Sequence, residues 1–241
     1  MRIAHFLTLI LAAALAVSCS GGIAGFWDKG DLSVDRSNYR AQQDRFAEFA
    51  ELTAGAPEKE VYTALDRMFD RLLADTVSYY IYADWVQAAF YNIYSPTQNA
   101  GIFEYAAARM LADDIMPDNI EELEKQRRYN GLNLAGSHCI LPELKTPDGE
   151  TLEVPGGEPC VILVINPSCR SCASSLSALS EQPGRHIAIC FGSPVVPDSP
   201  AWEYCYATDL KSVFDVDAAP LWFAVDAEGT VTTPYSIVNS N

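Results

Sequence analysis

The chain has 241 residues, 49% of them apolar, enough for two modest domains or one large one with a packed core, and this excludes a wholly disordered chain. Its formal net charge is −16 at pH 7. A chain this acidic repels polyanions, so nucleic acid and anionic lipid surfaces are set aside as partners, and the charge reads as a contribution to solubility.

Residues 1–18 read as a signal peptide. Arg2 supplies a small basic region, and the apolar residues 6–17 are too few to span a bilayer stably. The stretch ends Leu15-Ala16-Val17-Ser18-Cys19. Small residues ahead of a cysteine resemble the bacterial lipobox, which implies cleavage before Cys19, lipidation of its thiol and attachment to a lipid bilayer. Ala16 stands where leucine is commonest, and the competing reading is an ordinary secretory signal with an incidental cysteine. No second hydrophobic span follows in the sequence, so the remainder is expected in the cell envelope, facing the periplasm, on a membrane leaflet that the sequence does not specify. Residues 19–38 are polar and glycine-containing at first, lack periodicity and read as a tether.

Residues 39–131 read as a helical domain of five helices. Over residues 57–75, Val61, Leu65, Met68, Phe69 and Leu72 fall on one helical face, with Asp66, Arg67, Asp70 and Arg71 on the other sides. Pro57 suits a first turn, and Glu58 and Glu60 suit the positive end of the helix dipole. Residues 76–94 are aromatic-rich and predict the central, most buried helix, stopped at Ser95-Pro96. Further helices are expected around Ile102 to Met110 and from Pro117 to Arg128, ending at Asn130-Gly131.

From residue 132 the period changes to that of strands. Residues 140–145 and 151–154 predict a hairpin through Pro147-Asp148-Gly149. A buried strand ends at Ile165, and Pro167 and a helix to about residue 182 follow. A strand over 185–191, a proline-rich loop, a short helix over 202–210, Ala219-Pro220, a strand to Asp226 and a last strand through Val231 complete the order. This is an α/β domain with a mixed sheet and flanking helices, over residues 132–241.

The first cysteines after the buried strand are Cys169 and Cys172, in Cys169-Arg170-Ser171-Cys172. Two cysteines two residues apart can close a small disulfide ring, and a helix start stabilises a thiolate at the first of them. Arg170 adds a nearby positive charge. With the strand ahead of the pair, Ala219-Pro220 ahead of a later strand and the turn over residues 226–229, the domain resembles a thioredoxin-like domain of the TlpA/ResA type, the envelope thiol-disulfide oxidoreductases. The helical half more loosely resembles a domain of unknown function that precedes such domains in some bacterial lipoproteins.

The resemblance implies Cys169 as the attacking thiolate, Cys172 as the resolving thiol, and a cis Pro220 lying against the pair and leaving backbone groups for a substrate peptide. It implies envelope proteins with disulfides as substrates and an upstream thiol protein as electron donor, since no dinucleotide fingerprint is present. No cofactor is expected. A reductant is the leading expectation, although neither the resemblance nor Arg170 fixes the direction.

The chain departs from the pattern in several places. Pro167-Ser168 replaces a tryptophan ahead of the first cysteine. Leu163 and Ser175 occupy the positions where related proteins hold proton-relaying acids, so the deprotonation of Cys172 is left to water or to an acid from elsewhere.

Three other readings compete. A zinc site would need further ligands, but there is no second CxxC, and the histidines are His5, His138 and His186, so no metal site is expected. A thiol peroxidase would need a Pro-x-x-x-Thr/Ser-x-x-Cys frame that neither cysteine has. A non-catalytic binding lipoprotein would use the aromatic stretch from Tyr79 through Tyr94, which reads more simply as core. Of the seven cysteines, Cys190 and Cys205 read as small buried hydrophobes. Cys139 and Cys160 both open β-like runs and could be neighbours, but a bridge between them is not the expectation, and the sequence does not give connectivity.

Overall fold

The computed structural model describes residues 22–192 and 199–236, the side chains of residues 170, 171 and 173 excepted. The chain divides into two units, residues 1–127 and 128–241.

The helical unit is organised by amphipathic spacing. Helix α1 is Tyr39–Leu52 and α2 is Glu58–Leu72. Along α2, Val61, Ala64, Leu65, Met68, Phe69 and Leu72 are buried, one stripe at helical spacing. Pro57 takes the N-cap with an extended backbone (ψ 131°), one place ahead of the first turn, and Glu58 and Glu60 face the positive end of the dipole. Helix α3, Thr76–Val86, begins at Asp75, whose carboxylate accepts from the Ser78 amide (3.2 Å) and hydroxyl (2.6 Å). Tyr79, Tyr82, Trp85 and Val86 make α3 the central helix, and it runs on as a π-helical turn, Gln87–Tyr91. Helix α4, Ala100–Asp113, is capped by Asn99 and ends where Asp114 turns left-handed (φ 51°). Helix α5 is Ile120–Asn130, after a 3₁₀ turn at Pro117–Asn119.

The tether expectation is corrected over residues 22–38. Trp27 is fully buried and Leu32 and Val34 are nearly so, within the same core as α1–α4. The segment is also held by polar bonds. Val34 N donates to the buried Ser78 hydroxyl (2.7 Å), Arg45 donates to Lys29 O (2.6 Å), and Arg71 donates to Trp27 O and Gly30 O. Leu32 and Val34 alternate with exposed Asp31, Ser33 and Asp35, a stretch too short to predict an element, and Trp27 stands outside it.

The second unit is a six-stranded sheet in the order β1-β4-β3-β2-β5-β6, with β1 Leu144–Lys145, β2 Cys160–Ile165, β3 Arg185–Cys190, β4 Glu203–Ala207, β5 Leu221–Val225 and β6 Val231–Ser236. Strands β2, β3 and β4 are parallel, and β1, β5 and β6 join antiparallel. Helix α6, Arg170–Leu179, covers one face, where Val161, Leu163, Ile165, Ala188 and Cys190 meet Cys172, Leu176 and Leu179. On the other face Phe223 packs on Phe214 and Tyr235, with ring centroids 5.9 and 5.2 Å apart.

Two further expectations are corrected. Residues 203–207, read as helical, form strand β4. Tyr204 and Tyr206 lie on the α6 face while Cys205 is buried on the other, an alternation that suits aromatic residues once β3 offers an open edge. The expected hairpin over 140–154 narrows to β1 and a single bridge from Lys145 to Thr151 around Gly149 (φ 87°). Among the described residues, no helix is long and apolar enough to cross a membrane.

Candidate functional site

Strand β2 is buried along its length and leaves the sheet at Asn166. The Asn166 side chain accepts from Ser168 N (3.0 Å) and its carbonyl accepts from Cys169 N (2.9 Å), a tight corner that brings Cys169 to the N-cap of α6. Cys169 is half-buried there, with an extended backbone (φ −86°, ψ 125°), and its carbonyl accepts from Cys172 N (3.2 Å). Cys172, one turn into the helix, is 1% exposed. Burial first, and then a hydrogen bond with Cys169, push the Cys172 thiol up to about 12, partly offset by the Asn166 backbone. The two thiols are thus in contact, with the proton held on the buried one.

The Ala219–Pro220 peptide is cis, as the resemblance implied; the Val154–Pro155 peptide is also cis, with no signal for it in the sequence. Pro220 directly precedes β5, and Leu221 stands opposite Val164 in the register with β2. This places Pro220 at the end of the sheet from which the chain leads to Cys169. Leu163 is fully buried and Ser175 is 3% exposed, so the positions expected to hold acids are occupied by a hydrocarbon and a hydroxyl inside the unit. The Arg170 side chain and Cys19 lie outside what the structure describes.

Two neighbours of the pair escaped the sequence reading. Trp222 stands opposite Leu163 and packs against the α6-face cluster, as does Cys169. The alternation of Leu221, Trp222 and Phe223, counted from Pro220, was the available signal. Cys190, read as a buried hydrophobe, is 2% exposed and belongs to the same cluster as Cys172; burial pushes its thiol up to about 12. Cys205 is fully buried, as read. His186 bonds Leu179 O at the end of α6 (3.1 Å) and lies tilted against Trp202, with ring centroids 5.0 Å apart. His138 forms a bridge with Thr230. Among the described residues, no group of three or more His, Cys, Asp or Glu side chains is placed to hold a metal ion.

No protein-family model matches the chain, and no curated protein matches it. Among solved structures, a thioredoxin-like protein from Bacteroides caccae superposes with a TM-score of 0.72 at 14% identity, over 90% of this chain and 87% of that one. The C-terminal domain of an uncharacterised protein from Bacteroides fragilis aligns with 44% of this chain and 92% of its own, at 18% identity and a TM-score of 0.37. The first likeness and the sheet order define the fold: a thioredoxin-like mixed sheet with flanking helices, preceded by an all-α unit.

Proposed function

We propose that the chain is a thiol-disulfide oxidoreductase of the TlpA/ResA type, acting through Cys169 and Cys172 as a reductant of protein disulfides in the cell envelope. In this reading it is tethered to the bilayer through lipid on Cys19, faces the periplasm and is recharged by an upstream thiol protein. The observation that carries the reading is the half-buried Cys169 at the N-cap of α6, in contact with a buried, protonated Cys172, on a sheet of thioredoxin-like order with cis Pro220 at the same end.

The Cys169 sulfur attacks one sulfur of a substrate disulfide, forming a mixed disulfide and expelling the other substrate sulfur as a thiolate, which takes up a proton. Cys172 then loses its proton and attacks Cys169. The second substrate sulfur leaves as a thiol, and the Cys169–Cys172 disulfide remains. Two electrons pass from the pair to the substrate. The helix N-terminus stabilises negative charge at Cys169, and Pro220, without an N–H of its own, flanks a surface for an extended substrate backbone. Of the aromatic stretch read as core, Tyr79, Tyr82 and Phe90 are fully buried in the helical unit, whereas Tyr94 is exposed.

The test is Cys172→Ser. Without the resolving thiol, a mixed disulfide between Cys169 and a substrate disulfide is expected to accumulate to near stoichiometry, seen as a reducible mass adduct on the peptide carrying Cys169. In the unaltered chain the resolving step is expected to accelerate as pH rises from 7 to 9. A thiol held near 12 is almost wholly protonated across that range, so its thiolate fraction grows about tenfold per unit. Absence of the adduct under excess disulfide, or a flat pH profile, contradicts the assignment.

A further inference from the structure

The sheet carries two further cysteines beside the β5–β6 hairpin, Cys139 and Cys160, both free thiols. Val161, Leu163 and Ile165 point towards α6, so Cys160, at the start of β2, alternates to the other face with Ile162 and Val164. Cys160 stands opposite Val225, and Val225 stands opposite Val231 across the β5–β6 hairpin.

The segment around Cys139 is stitched to that same hairpin. Gly136 N donates to Val231 O (2.8 Å), Val231 N to Ser137 O (2.9 Å) and Cys139 N to Gly229 O (2.8 Å), with a bridge between His138 and Thr230. Pro155 closes the arrangement. Its carbonyl lies 3.4 Å from the Cys160 sulfur, and its Cδ lies 3.5 Å from the position a Cβ would take on Gly229. Gly229 and Pro155 thus link the half-buried Cys139 to the buried Cys160, Cys139 through its amide on Gly229 O and Cys160 through its sulfur beside Pro155 O. The electrostatics agree: burial pushes the Cys139 thiol up to about 12, and the neighbouring Cys160 thiol adds to the shift.

We propose that Cys139 and Cys160 form a second disulfide, separate from the Cys169–Cys172 pair, that pins the segment entering the sheet to the start of β2. One of the two sulfurs, as thiolate, attacks a protein or glutathione disulfide of an oxidising compartment and forms a mixed disulfide. The other, on losing its proton, displaces the carrier. A sulfur–sulfur bond forms between Cys139 and Cys160, the carrier's bond breaks, and the carrier leaves as two thiols with the two electrons and two protons. Burial raises the pKa of both thiols in the folded chain. The bond closes a loop of about twenty residues, long enough to restrain the unfolded chain appreciably. This inference does not depend on the redox role of Cys169 and Cys172.

The experiment starts from the full-length chain, exported to an oxidising compartment and purified in detergent. Thiols are blocked with iodoacetamide under denaturing conditions, and the chain is digested without reduction and read by mass spectrometry. A cross-linked pair of peptides carrying Cys139 and Cys160 is expected, and it is expected to persist in the Cys169→Ser/Cys172→Ser double variant. In that background, reduction should lower Tm by several degrees. The loss should vanish when Cys139→Ala and Cys160→Ala are added. Complete alkylation of both cysteines, or linkage of either one to a different cysteine, overturns the proposal. The first readout needs no variant, so it stands even if a variant fails to fold.

Discussion

Cys169→Ser is expected to abolish disulfide reduction, leaving only the uncatalysed exchange rate, while the fold stays intact. The chemistry needs a sulfur at this position, because a hydroxyl does not ionise near neutral pH and cannot form the mixed disulfide. The structural cost is small. Cys169 is half-buried, its backbone already has the extended N-cap conformation, and serine is among the preferred N-cap residues. Stability should therefore be unchanged within about 0.5 kcal/mol or slightly raised. The check is a reductase assay on a protein disulfide alongside a denaturation curve. Retained turnover in a folded variant removes Cys169 from the mechanism, whereas loss of activity with loss of fold would contradict the geometry of the α6 cap.

The largest stability effect is expected at Trp27. Its ring is fully buried between Phe26, Phe49 and Tyr82, with centroids 4.7, 5.1 and 5.8 Å away, and the Arg45 guanidinium lies over it at 4.9 Å. Trp27→Ala deletes the largest wedge in the helical core and opens a cavity that α1 and α3 cannot close, a loss of about 3–5 kcal/mol. Trp27→Phe should cost less. It keeps an aromatic ring and removes an indole N–H that has no hydrogen-bond partner in this core. Chemical denaturation followed through the transition of the helical unit measures both. A loss below about 1 kcal/mol for the alanine variant is the range of an ordinary surface change and would return residues 22–38 to the status of a tether.

What the sequence made legible follows from the range of the physics involved. Strand β2, the turn into α6 and the CxxC pair are local signals: an apolar run, a proline and two cysteines within a dozen residues. The stripe on α2 and the acidic first turn of α2 at Glu58 and Glu60 are local in the same sense. Strand β4 was misread because its state depends on β3. Glu203–Ala207 is a strand only where a parallel edge accepts its backbone, and the aromatic residues that suit that position also suit a buried helix. Trp27 was missed because its partners lie on α1 and α3, far along the chain and at no fixed period. Alternation along Leu221, Trp222 and Phe223 gives the side of the strand on which Trp222 lies, while its place opposite Leu163 depends on the register of β2 against β5. Cys169 and Cys172 were therefore readable as a pair, and most of their surroundings were not.

The central claim is most directly tested by a redox titration of the full-length chain against defined glutathione or dithiothreitol ratios. The thiols are trapped by alkylation at each step, and the state of each cysteine is read by mass spectrometry. The account predicts a reversible two-electron couple at Cys169 and Cys172, with a potential near that of a thioredoxin-like reductant, about −270 mV. A pair that never closes, or that closes and resists reduction across the whole range, contradicts the catalytic reading. A reversible couple near −120 mV would keep the enzyme and reverse its direction.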